Sequence, residues 1–331
     1  MKIQAIIILC FSVFLLSCDF QEEELSLELL LSMSGDNSEM ISLAKEFETL
    51  HNIRVDISKV PFFSLKPLLL SETEKKFDVV LGVADWAGEL SKKGIIRDIP
   101  YKSDRHTDYL QIDGKIKGII QNYEHPMFFY YADRFDVRPG NIAQIFEHLG
   151  KGFMYDTGNM YYNMFLACFF GNGFLDEKSY DLAHPDFISY LEFIDKYREN
   201  VPESVNYDAV VNLFTAGELD IILDGSWNHS RHISNGASVL PIVPDSFFAG
   251  AKVFYICSDQ LRQSRKLIDF LLKGQADKTS PTGIVFQEDM MIIPDFDGMK
   301  EFWNKGNELF YRLFSDNSDI NSILKKVLNE E

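Results

Sequence analysis

The chain has 331 residues, 46% hydrophobic and 14% aromatic, and a formal net charge of −18. Such apolar content is ample for a packed core and excludes wholesale disorder. With 32 basic against 50 acidic residues and no local basic stripe, nucleic acid and anionic membrane surface are excluded as electrostatic partners.

Lys2 precedes an apolar run over residues 6–16, too short to cross a bilayer as a helix. Leu15, Leu16, Ser17 and Cys18 then read as a lipobox. A positive start, a short apolar stretch and a small residue before cysteine describe a secretory signal over residues 1–17. Cys18 is then the expected lipid-bearing residue, and residues 18–25 form a tether. The rest is expected outside the cytoplasm, held at the periplasmic face or the cell surface; an uncleaved anchor would leave it on the same side. Cys168 and Cys257 remain. No spacing argues that they pair, so two separate buried thiols are expected.

Strand and helix signals alternate from there. Residues 26–33 read as a strand, and Asn37 or Ser38 opens an amphipathic helix to His51 with Met40, Leu43, Ala44 and Phe47 on one face. Residues 53–60 alternate as a strand, 63–71 look helical, and 77–81 form a short buried strand. Asp113-Gly114 between alternating apolar residues predicts a hairpin. A strand over 127–131 and helices over 141–149, 161–170 and 185–197 follow. Strands at 219–223, 238–243 and 251–257, a helix over 261–272 and a mainly helical end complete the pass. The alternation implies βαβ units and a largely parallel sheet. No linker-like segment separates domains, so a chain that crosses more than once between two lobes is expected.

Three segments in this order resemble bacterial extracellular solute-binding proteins of the maltose-binding type, the soluble partners of ABC importers. The first runs from Leu30-Leu31-Ser32-Met33-Ser34-Gly35-Asp36 through Phe77-Asp78-Val79-Val80-Leu81 to Asp85 and Gly94-Ile95-Ile96. The second runs from Asp113-Gly114-Lys115 through Glu124 to Tyr130-Tyr131-Ala132-Asp133. The third is Phe214-Thr215-Ala216-Gly217-Glu218 leading into Asp224-Gly225-Ser226-Trp227. The resemblance implies an α/β, two-lobe periplasmic-binding fold with crossover hinge strands and a ligand cleft between the lobes. It places lobe 1 at 26–122 plus 253–292 and lobe 2 at 127–247 plus 297–331, with hinges near 123–126, 248–252 and 293–296.

A sugar presents hydroxyl groups around its ring and C–H patches on its faces, so its cleft should mix carboxylates with aromatic rings. By the resemblance, Asp36, Asp85 and Glu124 are the acids and Trp227 the leading aromatic platform, with Tyr161, Tyr162 and Trp303 as further rings. Asn37 and Trp86 stand where the family's maltose binder has cations, as does Asn307, and Gly82 replaces a Trp. These departures point away from maltose itself. Asp36 reads equally as a helix N-cap and Trp303 equally as core; for Asp85 a cap of the next turn, for Glu124 a loop charge and for Trp227 a core ring are the lesser alternatives.

The implied function is capture of a sugar or oligosaccharide by lobe closure and delivery to an ABC importer's membrane subunits, by a monomer. A polyamine or other small solute is the alternative, since acids and aromatic faces also suit cationic amines. A carbohydrate hydrolase is the lesser one. No nucleotide-binding or nucleophile motif is present, and neither a cofactor nor a metal is expected. His229 and His232 have a spacing that can ligate metal but read as surface histidines beside a loop.

Overall fold

The computed structural model describes residues 25–33, 37–71, 77–100, 109–176, 178–201, 205–277, 290–293, 298–316 and 318–328. The expected signal, Cys18 and Asp36 lie outside the described residues.

Strand β1 (Ser26–Ser32) is flanked in parallel by β2 (Arg54–Val60) and β3 (Val79–Val83). Helix α1 (Ser38–His51) connects β1 to β2 and buries Met40, Leu43, Ala44 and Phe47, the expected stripe. It stops at Asn52, whose left-handed backbone (φ 51°) lets its N–H reach the Glu48 carbonyl. Helix α2 (Phe62–Ser71) precedes β3, and α3 (Ala87–Lys92) follows it after a tight turn over Ala84–Trp86. Strands β4 (Tyr109–Ile112) and β5 (Lys115–Glu124) form the hairpin that Asp113-Gly114 predicts, both turn residues having positive φ.

His125 alone separates β5 from β6 (Pro126–Tyr130), which belongs to a second sheet. That part of the chain carries α4 (Ile142–Phe146), β7 (Phe153–Met154), α5 (Met160–Ala167), α6 (Pro185–Asp195), α7 (Tyr207–Thr215), β8 (Ile221–Gly225), α8 (His229–Ser234) and β9 (Ser238–Leu240). Strand β10 (Phe247–Ile256) then returns to the first sheet, followed by α9 (Leu261–Asp277), β11 (Met290–Ile292), α10 (Met299–Ser315) and α11 (Ile320–Leu328).

The first sheet has the order β2-β1-β3-β10-β5-β4 with β11 beside β10, and the second the order β7-β8-β6-β9. The first sheet is mixed rather than largely parallel. Strand β10 arrives from the second sheet and therefore runs antiparallel to both β3 and β5. Residues 248–252 lie inside this one strand, with a register irregularity between Lys252 and Val253 instead of a break. Strand β9 ends at Leu240 because Pro241 and Pro244 follow, and proline cannot donate to a ladder.

One apolar cluster fills the face of the first sheet under α1 and α9, including Phe47, Phe254 and Leu271. A larger one runs from the other face of that sheet through the second sheet and its helices, including Phe128, Phe153, Tyr190 and Phe310. Cys168 and Cys257 are free and buried, as expected.

Gly118 of β5 lies against Val253 and Tyr255, and a Cβ there would run into the Val253 side chain. Gly118→Ala is therefore expected to cost about 1–3 kcal/mol through overpacking. Urea unfolding checks this: the midpoint should fall with an unchanged slope.

Candidate functional site

Chain ends and strand ends bring most of the expected residues to the junction of the two sheets. Asp85 sits in the turn that closes β3, with Trp86 beside it. Glu124 is the last residue of β5. Tyr161 is in the first turn of α5, Trp227 in the turn after β8, and Trp303 early in α10.

These side chains touch one another. The Trp303 indole N–H donates to Asp85 Oδ2 at 3.1 Å, joining α10 to the end of β3. The Tyr161 hydroxyl donates to the Glu124 carbonyl at 3.0 Å, and its ring lies 5.8 Å from that of Trp227. Burial, then the nearby carboxylates of Glu124 and Asp85, raise the Tyr161 hydroxyl far above its ordinary value. Tyr161, Trp227, Trp303 and Asp85 all remain partly exposed. Partial exposure is what a ligand-facing ring needs.

Two lysines meet the acids. Lys252 Nζ lies 2.7 Å from Glu124 Oε1. Lys66 lies 2.9 Å from Glu89 and close enough to Asp85 to lower its pKa. Burial nevertheless dominates at Asp85 and holds its carboxyl above the usual carboxylate range, with Lys66 and the Trp303 N–H pulling the other way.

Other expected residues are placed differently. Trp86 is 7% exposed, its ring over Gly82 and 5.4 Å from that of Phe62. The ring replaces the bulk that Gly82 lacks and packs as core. Tyr162 is 2% exposed and donates to Asp224 Oδ1 at 3.3 Å. Asn37 donates its side-chain N–H to the Ser32 carbonyl at 2.7 Å and ties the start of α1 to β1.

His232 corrects the sequence reading. It is a fully buried residue of α8, not a surface histidine, and its Nε2 lies 2.6 Å from Asp224 Oδ2. Among the described residues no group of histidine, cysteine and acidic side chains could hold a metal ion.

Lys252, Lys66 and Tyr207 were not singled out by sequence. Lys66 and Lys252 are single charges within apolar segments, FFSLKPLLLS and FFAGAKVFYI, which is the signal available for them. Tyr207 opens α7, whose N-cap Asn206 accepts from the Ala209 N–H and whose apolar face is Val210, Val211 and Phe214. The Tyr207 hydroxyl accepts from the Trp227 indole N–H at 3.4 Å.

Residues 42–282 match the profile of a protein family described as bacterial extracellular solute-binding proteins. The chain belongs to that family. Membership makes it an extracytoplasmic solute-binding protein, and the family is one of binding proteins. Its fold is shared with three solved structures. A cyclo/maltodextrin-binding protein complexed with maltotetraose has a TM-score of 0.71 at 18% identity, with 91% of this chain and 95% of that one covered. MalX from Streptococcus pneumoniae, in complex with maltopentaose, gives 0.77 at 18% identity over 92% and 98%. The maltose/maltodextrin-binding domain MalE from Bdellovibrio bacteriovorus, bound to maltotriose, gives 0.79 at 15% identity over 92% and 97%. Curated protein sequences give no match. The solute-binding protein therefore has the two-lobe α/β fold of these structures.

Because the folded protein holds the Asp85 proton more tightly than the unfolded chain, ionising Asp85 as pH rises costs stability. That cost is absent below the unfolded value of about 4 and complete above the raised folded value. Asp85→Asn, which can still accept from Trp303, should melt higher than wild type at neutral pH. Melting curves across pH test this: the gap should close as pH falls toward about 4.

Proposed function

We propose that this chain captures a neutral sugar or oligosaccharide between its two lobes and delivers it to the membrane subunits of an ABC importer. It acts as a lipid-anchored monomer, tethered through Cys18 after removal of residues 1–17, and it binds without catalysis. Asp36, Asp85, Glu124, Tyr161, Trp227 and Trp303 are the proposed ligand contacts, with Asn37, Trp86 and Tyr162 supporting them from behind.

One observation carries the choice of a neutral ligand. Neither Glu124 nor Asp85 offers a free negative charge: Glu124 is paired with Lys252, and burial outweighs Lys66, which itself pairs with Glu89, in holding the Asp85 carboxyl toward its neutral form. A polyamine needs carboxylates free to pair with its amines. One paired acid and one held toward its neutral form, flanked by partly exposed rings, suit hydroxyl groups and C–H faces. That the three solved relatives bear maltodextrins supports the same class.

The proposed division is 26–122 plus 253–292 for lobe 1 and 127–247 plus 297–331 for lobe 2. Three observations support hinges near 123–126, 248–252 and 293–296. The sheet changes at His125. Strand β10 pairs with β11 up to Ala249 and with β5 from Gly250. The Ile293 N–H returns to the Ala249 carbonyl at 2.9 Å. Closure about such hinges shifts the population toward a compact form that a transporter can distinguish.

A thermal-shift comparison of maltotetraose with spermidine tests the ligand class. Sugar at a hundredfold excess over Kd should add about 2.7 kcal/mol of stability, insensitive to salt, and Trp227→Ala should abolish the shift. A shift with spermidine alone, lost in high salt, would contradict the proposal.

A further inference from the structure

We propose that Asp224 and His232, which lie behind the cleft, are positioning residues that fix the orientation of the Trp227 ring through Asn228 and Tyr207. The claim that this ring then matters for ligand rests on the sugar-cleft reading above; the claim about its orientation does not.

Asp224 and His232 are both fully buried. A carboxylate in such a place is tolerated only when its acceptor sites are filled. Oδ1 of Asp224 accepts from the Gly225 N–H at 2.6 Å and from the Tyr162 hydroxyl at 3.3 Å. Oδ2 accepts from His232 Nε2 at 2.6 Å and from Asn228 Nδ2 at 2.9 Å. Four donors saturate the group. His232 is wedged between Phe129 and Phe214, with ring centroids at 4.6 and 5.2 Å. Its other nitrogen has no hydrogen-bond partner among the described residues, so the imidazole serves Asp224 alone.

The network continues outward along one line. Asn228 Nδ2 carries two protons: one goes to Asp224, the other to the Tyr207 hydroxyl at 2.5 Å. An Asn228 amide rotated by half a turn would present its oxygen to Asp224, so the carboxylate dictates which way the amide faces. The amide in turn places the Tyr207 oxygen, and that oxygen receives the Trp227 indole N–H. Trp227 has no other polar atom to steer it. Its ring is confined on a second side by Gly225, where a Cβ would collide with it, and faces Tyr161 on a third. A partly exposed ring with its one polar handle fixed in this way is pre-organised, which lowers the ordering cost of binding.

The test follows the indole N–H resonances of the three tryptophans by NMR, assigned through Trp86→Phe, Trp227→Phe and Trp303→Phe. Tyr207→Phe and Asp224→Asn should each move the Trp227 proton upfield and speed its exchange with solvent, while Trp303, bonded to Asp85, stays in place. His232→Leu should reproduce the change. His232→Gln, whose amide can still donate to Asp224, should restore the wild-type signal; it also serves if Asp224→Asn does not fold. A merely structural role would lower the melting temperature of these variants and leave the Trp227 resonance where it was, which would overturn the proposal. Titration with maltotetraose separates the two claims. A loss of affinity of about tenfold in Asp224→Asn supports both. Wild type that shows no maltotetraose binding contradicts the sugar reading alone, since the indole signals decide the positioning claim by themselves.

Discussion

Lys252 and Glu124 meet at 2.7 Å where β5 and β10 run side by side at the junction of the two sheets. Just beyond that point β5 passes through His125 into β6 and changes sheets, while β10 has come from the opposite direction. Glu124 is buried whereas Lys252 is partly exposed, so losing the lysine would leave a buried carboxylate unpaired. The pair thus ties β5 to β10 at the place where β5 gives way to β6. What lies around them, Tyr161 on the Glu124 carbonyl and Asp85 in the turn after the neighbouring β3, is positioned relative to that pairing.

On the proposed reading the same arrangement determines what the cleft can hold. Glu124 is paired with Lys252 and burial disfavours the charged form of Asp85, so the attraction proposed there is directional rather than a net field. Aromatic faces supply the remaining contact area. Trp303 is bonded to an acid of the opposite element at its indole edge, and Trp227 to a tyrosine of its own side. On the proposed reading, closure and platform geometry are linked through the first of these bonds and independent through the second.

Much of the fold could be read in the sequence because its signals are local. The α1 stripe, the Asp113-Gly114 turn and the alternation of strands with helices each follow from neighbouring residues. The mixed character of the first sheet could not be read, since the direction of β10 depends on a return from the second sheet. Strands β7 and β11, of two and three residues, are too short to show a period. At the site, most of the described residues singled out by resemblance lie near one junction, but burial divides them. Trp86 and Tyr162 face inward, and nothing in their neighbours distinguishes them from Trp303 and Tyr161. In sequence His232 reads as a surface residue, because no cysteine or third histidine clusters with it; only the packing of α8 against Phe129 and Phe214 reveals the buried partner of Asp224. Lys66 and Lys252 each show in the sequence only as a lone charge inside an apolar run.

The central claim is that the two halves shut around a neutral sugar. Small-angle X-ray scattering on the same sample used for calorimetric titration with maltodextrins tests it most directly. The account predicts heat of binding together with a fall in the radius of gyration as the sugar saturates. Bound sugar with an unchanged radius, or no binding by any maltodextrin while a cationic amine compacts the protein, would contradict it.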